Sequence, residues 1–427
     1  MNKGAALIIG GGIAGLTAAL ELARRGVCVI VLEAKDRFGG RIHTIHDGKM
    51  PVELGAEFVH GESKALINAI HHAKLSTKAV PDRNRLFENG AFREVKIWEI
   101  VGNVLNRIDV HKPDCSLEEF LTAEKIEEPA RSLLRNFIMG FDAAHTDRIS
   151  ALARRRAEYA AEQMNLSTQL HITEGYSALI EYFTREIQSH NGLLMTNAIA
   201  RRIHWEAGSV EVFADCHGRP ETFFANAAVI TLPVGVLKAN DIKFAPPLPE
   251  KLEAATGLEF GNVVKVIFHF RDLLWDDFGF VHVPSEPIPT WWSDARGPVL
   301  TGWAGGPRAD ALLKLSPAQL ESVGLEILTK ILYGSPSVDN LRNRLVGSHY
   351  YNWADDPYAR GAYSYIPVNG LDLPKLLAAP VADTLFFAGE ATVTDGQTGT
   401  VFGALETGLR AAREVLDAQD FCMVRAA

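Results

Sequence analysis

The stretch Ala5–Arg41, AALIIGGGIAGLTAALELARRGVCVIVLEAKDRFGGR, carries a strand, a glycine turn, a helix and a second strand in one run. Ala5–Ile9 is an apolar segment of the length of a buried parallel strand, and Gly10, Gly12 and Gly15 follow with the G-x-G-x-x-G spacing as a helix opens. The three glycines do different things. Gly10 allows the tight turn, Gly12 lets the backbone approach a pyrophosphate, and Gly15 brings the helix close to the strand. Phosphates would then meet the free N–H groups of the helix N-terminus, where the macrodipole favours negative charge. Ile13, Leu16, Leu20 and Ala23 keep helical spacing up to Gly26, and a second strand, Val27–Leu32, ends at Glu33. Glu33 follows Gly15 at about the 20-residue spacing expected of a carboxylate that accepts a ribose hydroxyl.

Strand, glycines, helix, strand and acid together predict a dinucleotide-binding βαβ unit. The acid favours a ribose with a free 2′-hydroxyl, as in FAD or NAD, over the phosphorylated NADP. The continuation Asp36-Arg37-Phe38-Gly39-Gly40-Arg41 adds glycines and arginines suited to a cofactor that runs on past its pyrophosphate. At this point the sequence resembles the flavin-containing amine oxidase family. The resemblance implies that Gly10, Gly12, Ile13, Ala14, Gly15, Glu33, Ala34, Arg37, Gly39, Gly40 and Arg41 bind FAD.

The chain has 427 residues, more than one hydrophobic core usually supports, so two domains are expected. With 47% hydrophobic and 22% charged residues it reads as soluble and globular. A formal charge of −9 without a lysine or arginine block argues against nucleic acid as a partner and suits cationic substrates. Cys28, Cys115, Cys216 and Cys422 are widely spaced, so neither a disulfide framework nor a zinc site is expected. With no signal peptide and no apolar run of the ~18 residues a membrane span needs, the expected place is the cytoplasm, with no membrane partner.

Val52–Gly61, VELGAEFVHG, is turn-rich, with apolar residues between two carboxylates and a histidine. Taken by itself it is equally a solvated loop. By resemblance it passes under the flavin ring, so that Gly55, Ala56, Glu57 and Phe58 contact the cofactor and His60 stands where several polyamine oxidases have histidine. Residues near 80 to 170 become Arg- and Glu-rich and mostly helical, with helices expected over Leu117–Leu121, Arg131–Met139 and Ser150–Met164. Asp142, Glu158 and Glu162 are candidates for lining an amine tunnel, against the plainer reading of a solvated helix face.

Strand-like Leu193–Thr196, Ala200–Trp205, Val210–Phe213 and Ala227–Leu232 return to nucleotide-domain texture, and the resemblance has Ala200 offer its backbone to the adenine. Val263–Phe270, VVKVIFHF, sets Lys265 among β-branched and aromatic residues. An ammonium buried there must be paired or lose its charge, whereas an edge-strand lysine would only discourage aggregation. Lys265 matches the family lysine that holds a water against flavin N5.

Trp353–Tyr365, WADDPYARGAYSY, resembles a motif of polyamine oxidases and histone lysine demethylases. Tyr363 matches the tyrosine that faces the ring, and Trp353 and Tyr358 are implied FAD contacts. Near the C-terminus Gly389, Glu390, Thr400 and Val401 complete the implied FAD site, Glu390 at the cofactor's linker. A helix N-terminus there would stabilise negative charge on the flavin pyrimidine. Ala362 stands where covalent flavin binders have cysteine, so FAD is expected to be non-covalent. Thr400 replaces the second tyrosine of the monoamine oxidase cage.

The expected architecture is α/β, a Rossmann-like FAD-binding domain with an interleaved α+β substrate domain, of the amine oxidase/glutathione reductase-like fold. Residues 1–78, 171–250 and 371–427 are assigned to the first, and 79–170 and 251–370 to the second. The expected function is oxidation of an amine C–N bond with O2 to an imine, hydrolysed to aldehyde or ketone, and H2O2. Polyamines lead among substrates, with Lys265, Tyr363, His60 and Thr400 at the reacting end. Monoamine or L-amino-acid oxidation stays open, as does a flavin protein without turnover. No Ser/His/Asp elbow or metal-ligand spacing competes.

Overall fold

The computed structural model describes residues 4–164, 168–275, 278–334 and 338–418. Ala5–Ile9 lies in the middle of a five-stranded sheet ordered Leu193–Met195, Cys28–Leu32, Ala5–Ile9, Ala227–Ile230 and Leu385–Phe387, every pair parallel. These strands are continuous apolar runs because both faces are covered. One face packs on the helices Ile13–Arg24, Ser177–Ser189 and Val401–Ala418. The other packs on a four-stranded sheet built from Ala198–Glu206, Ser209–Cys216, Arg219–Ala225 and Lys243–Ala245. The α/β class expected from the glycine turn is therefore the class adopted, and the parallel sheet gathers strands from three separated stretches.

A seven-stranded sheet stands apart from it, ordered Leu345–Tyr350, Val263–Phe270, Val299–Gly305, Thr290–Ser293, Phe280–His282, Asn84–Glu88 and Ala91–Glu94. The helix Pro317–Tyr333 covers one side of it, opened by a capping box between Ser316 and Gln319. Ile97–Leu105, Leu117–Ala123, Ala130–Phe141 and Ala151–Gln163 form a helical lobe around Val101, Leu121, Leu134 and Ile138. Ser116 and Ser150 cap two of these helices through their hydroxyls.

Three local expectations change. The stretch from 80 is not helical at its start: Asn84–Glu88 and Ala91–Glu94 form a hairpin whose turn is Asn89-Gly90, both at positive φ (53° and 77°). Asn-Gly is the pair that such a two-residue turn selects, so the signal was present. Val52–Gly61 is not a free loop, since Met50–Glu53 and Phe58–His60 are strands that hold a short turn between them. Finally, the strand of Lys265 is internal, paired with Val299–Gly305 on one side and Leu345–Tyr350 on the other, so Lys265 is no edge guard.

Cys28, Cys115 and Cys216 are unpaired, and Cys422 lies outside the described residues. No helix among the described residues is long and apolar enough to cross a membrane.

Candidate active site

A continuous cavity of about 620 Å³ runs from the first glycine turn to the seven-stranded sheet. Nearly every site residue expected from the sequence lines it. Gly10, Gly12, Ile13, Ala14, Glu33, Ala34, Gly39, Gly40 and Arg41 are at one end, with Ala200 beside them. Gly55, Ala56, Glu57, Phe58, Trp353, Tyr358, Gly389, Glu390 and Val401 line its length, and His60, Lys265, Tyr363 and Thr400 its far end. Gly15 and Arg37 do not line it. A Cβ on Gly15 would lie 2.0 Å from the Gly10 carbonyl, so this glycine serves the contact of helix and turn. The Arg37 guanidinium donates to the carbonyls of Ile42 (3.0 Å) and Gly40 (2.8 Å), bracing the loop from within.

The glycine end has the shape of an anion cradle. Gly10 has φ +109°, which a side chain would strain, and a Cβ on Gly12 would meet only open space. The helix Ile13–Arg24 has no side-chain cap at Gly12, which leaves its first N–H groups free toward the cavity. Glu33 is buried, and its carboxylate accepts from the backbone N–H groups of Gly11 (2.7 Å) and Lys35 (2.9 Å). Burial outweighs those two donors and pushes its pKa up. The ladder of Ala198–Glu206 slips a residue between Ala200 and Arg202, a bulge at the point where that strand borders the cavity.

Midway, Glu390 ties three stretches together. It pairs with Arg41 at 2.9 Å and accepts from Ser364 Oγ (2.6 Å) and Gly399 N (3.1 Å). Gly389, at φ +134°, again faces open space. Arg41 also donates to the Ala362 carbonyl at 2.7 Å. Trp353 donates to the Leu54 carbonyl at 2.9 Å, fixing the turn that carries Gly55. No cysteine among the described residues lines the cavity.

At the far end Lys265 is 4% exposed. Its ammonium lies 2.6 Å from Glu57 Oε2 and donates to the Gly55 carbonyl at 3.1 Å. Burial alone would raise the Glu57 pKa, but the Lys265 ammonium and the His171 hydrogen bond outweigh it and hold the carboxyl below its usual range. Tyr363 donates to the Phe141 carbonyl at 2.8 Å, and burial, then Asp142, then Glu390 push its pKa up. Trp303 donates to the Gly140 carbonyl at 2.7 Å, so the helical lobe is pinned over this end by two aromatic residues. His60 packs between the rings of Phe58 and Phe141, its Nδ1 has no hydrogen-bond partner, and burial pulls its pKa down to about 4. Thr400 accepts from Gly403 N (3.0 Å) and donates to the Gln397 carbonyl (2.8 Å), capping the helix Val401–Ala418.

The surface-face reading of Asp142 and Glu158 does not hold, since both line the cavity, flanking Arg154 at 3.3 and 3.7 Å. Glu162 is exposed and accepts from Asn106, as a solvated helix face would have it. Helical spacing showed that Glu158 and Glu162 share a face, but which neighbour covers that face is set by the docking of the whole lobe. His171, Trp292, Asp294 and Arg296 were not legible at all. His171 and Trp292 reach Glu57, and Asp294 with Arg296 reaches His171, only through strand pairings far apart in sequence.

A family model described as flavin containing amine oxidoreductase matches residues 13–416. Polyamine oxidase 3 of Oryza sativa subsp. japonica is 32% identical, the match covering 96% of this chain and 88% of that one. Polyamine oxidase 2 of Arabidopsis thaliana is 30% identical over 96% and 87%. Among solved structures, putrescine oxidase bound to putrescine superposes with a TM-score of 0.82 at 21% identity, covering 97% of this chain and 99% of that one, a likeness of fold. The cavity thus sits in a chain that belongs to the flavin-containing amine oxidoreductase family.

Proposed function

We propose that the cavity holds FAD without a covalent bond, and that the protein oxidises a C–N bond of a diamine or polyamine with O2 to an imine and H2O2. One observation carries this reading: a single cavity joins the anion cradle at Gly10–Gly12 to a reacting end walled by Lys265, Tyr363 and Trp303, with Asp142 and Glu158 beside it. The residues fit FAD, because the free helix N-terminus suits the pyrophosphate, Glu33 keeps lone pairs for a ribose hydroxyl, and no thiol among the described residues lines the cavity for a tether. On the same reading residues 1–78, 171–250 and 371–427 form the FAD half, and 79–170 with 251–370 the substrate half. When bound, the flavin accepts the hydride equivalent from the carbon beside nitrogen.

The chain's own residues do the rest. Tyr363 and Trp303 present aromatic faces that attract and orient an amine. His60, neutral near pH 7 because burial lowers its pKa, accepts a hydrogen bond from an amine without repelling it. Asp142 and Glu158 flank Arg154 and offer carboxyl oxygens to a second ammonium; burial pushes both pKa values up while Arg154 pulls them down, and a bound ammonium would favour their ionised forms. Arg154 also favours a second reading, since a cavity-lining guanidinium would take the carboxylate of an L-amino acid. It is already flanked by two carboxylates, which makes the cationic substrate the better fit.

A peroxide-coupled screen of spermine, spermidine, putrescine, benzylamine and L-amino acids tests this. Polyamines or diamines should give the highest kcat/KM, and Asp142→Asn should raise their KM roughly tenfold while leaving benzylamine unchanged. Preference for L-amino acids would transfer the assignment to Arg154. A yellow protein that no anaerobic amine bleaches would be a flavin protein without amine turnover.

A further inference from the structure

Glu57 is the hub of a buried chain of charges that the proposed chemistry does not require. Its Oε2 pairs with Lys265 at 2.6 Å, and its Oε1 accepts from Trp292 Nε1 at 2.9 Å and lies 3.0 Å from His171 Nε2. The other ring nitrogen of His171 is 3.4 Å from Asp294, which Arg296 grips at 2.6 Å while also reaching Glu53 at 3.1 Å. No side chain along this chain is more than 5% exposed, from Lys265 at 4% to Glu53 at 1%.

Glu57, His171 and Asp294 also bring their ligand atoms within 4.8 Å of one another, a spacing that suits a metal ion. Lys265 and Arg296 already set a cation against each carboxylate, so a metal would add charge where charge is balanced. Nor does the chain reach solvent at its other end, as a proton conduit would, since Arg296 and Glu53 are buried there. Its members come from the turn after Met50–Glu53, the strand Gln169–Ile172, the strand Val263–Phe270 and the segment after Thr290–Ser293, so it fixes one point from several directions. That point is the Lys265 ammonium.

We propose that Glu57, positioned by Trp292 and by the His171–Asp294–Arg296 chain, is a charge-compensating clamp on Lys265 that sets the reduction potential of the bound flavin. The inference rests on the reading that the flavin ring lies at the Lys265 end. A lone ammonium beside the ring would favour the electron-rich reduced form, whereas an ammonium paired at 2.6 Å acts as a dipole whose field falls off faster. Glu57 therefore holds the potential below the value Lys265 alone would give.

The test is the reduction potential of the FAD-loaded protein, equilibrated against a reference dye, in a double-mutant cycle. Glu57→Gln should raise the equilibrium constant for reduction about tenfold, some 30 mV for a two-electron couple. Lys265→Met should lower the potential, and in the Lys265→Met background Glu57→Gln should no longer raise it, because a buried Glu57 without the Lys265 ammonium takes up a proton and has no charge left to remove. Glu57→Asp should stay near wild type. Equal shifts with and without Lys265, or no shift in Glu57→Gln where Lys265→Met does shift, would overturn the clamp. A potential that Lys265→Met leaves unmoved would instead overturn the placement of the ring, and the clamp with it. Should Glu57→Gln fail to hold FAD, His171→Gln asks the same question: loosening the clamp should raise the potential part of the way, and an unmoved potential would again overturn it.

Discussion

The two ends of the cavity are built by different means. At the glycine end the decisive bond joins Gly11 N to Glu33, 22 residues apart, and the strand, turn and helix around it follow one another in the chain. At the lysine end the bonds from Lys265 to Gly55, Tyr363 to Phe141 and Trp292 to Glu57 span 210, 222 and 235 residues. One end is local backbone geometry that glycine spacing encodes directly. The other is a set of side chains with no geometry until two sheets and a helical lobe have docked. Damage should therefore differ in kind: steric and total at the first end, electrostatic and graded at the second.

The largest effect expected is that of Gly15→Val. Its Cβ would lie 2.0 Å from the Gly10 carbonyl, and neither the helix Ile13–Arg24 nor the turn can move without opening the cradle. Overpacking of this kind costs roughly 1–3 kcal/mol or more, and the protein should purify without FAD and with a lowered Tm. Flavin absorbance at wild-type stoichiometry would break the comparison, because the glycine end would then tolerate what its close packing forbids.

A smaller effect belongs to Glu33→Ala, which removes the acceptor of Gly11 N while leaving the turn's glycines in place. Loss of a charged hydrogen bond to a ribose hydroxyl should weaken FAD roughly 10- to 100-fold, about 1.5–3 kcal/mol. Titration of the apoprotein with FAD measures it, and affinity equal to wild type would remove Glu33 from the ribose. Glu33→Gln sharpens the contrast, since it keeps an acceptor without the charge and should fall between the two.

The same contrast explains what the sequence disclosed. G-x-G-x-x-G with Glu33 behind it specified a parallel βαβ unit because turn, helix start and ribose acid all lie within one segment. Lys265 announced itself as an ammonium inside an apolar strand, which predicts a partner without naming it. Glu57 stood in plain sight between Ala56 and Phe58, yet its pairing with Lys265 depends on where the turn after Met50–Glu53 comes to rest against the seven-stranded sheet. His171 sits in the strand QLHI, where alternation says which side it faces but not that carboxylates wait on both of its nitrogens. Asp142 and Glu158 stayed between the tunnel and the solvated face for a related reason. A charged helix face beside solvent and one beside a cavity have the same periodicity.

The smallest effect follows from histidines at the lysine end. His60 and His282 both line the cavity, and burial is the cause that lowers each to about 4, against about 6.5 in an unfolded chain. The cradle residues Gly10–Ala14, Glu33 and Ala34 include no histidine, but His43, lowered to about 4 by burial and then by Arg37 and Lys35, lies on the loop that follows them, so the lysine end is read by substituting His60 alone. Between pH 6.5 and 4 the unfolded chain binds protons that the folded one refuses, so stability falls as pH falls. The stabilisation is fully present above about pH 6.5, is lost progressively down to about pH 4, and changes no further below. Both residues border a cavity that admits water, which reduces the effect below the 1.36 kcal/mol per pKa unit of a sealed site, to roughly 1–2 kcal/mol for each. His282 Nε2 donates to Asn84 Oδ1 at 3.0 Å, whereas His60 Nδ1 has no partner, so glutamine should replace His60 at little cost. Tm measured from pH 7.5 to 4 should therefore fall less steeply in His60→Gln than in wild type. Identical slopes would mean that His60 meets solvent in both states and that the lysine end is more open than its packing against Phe58 and Phe141 implies.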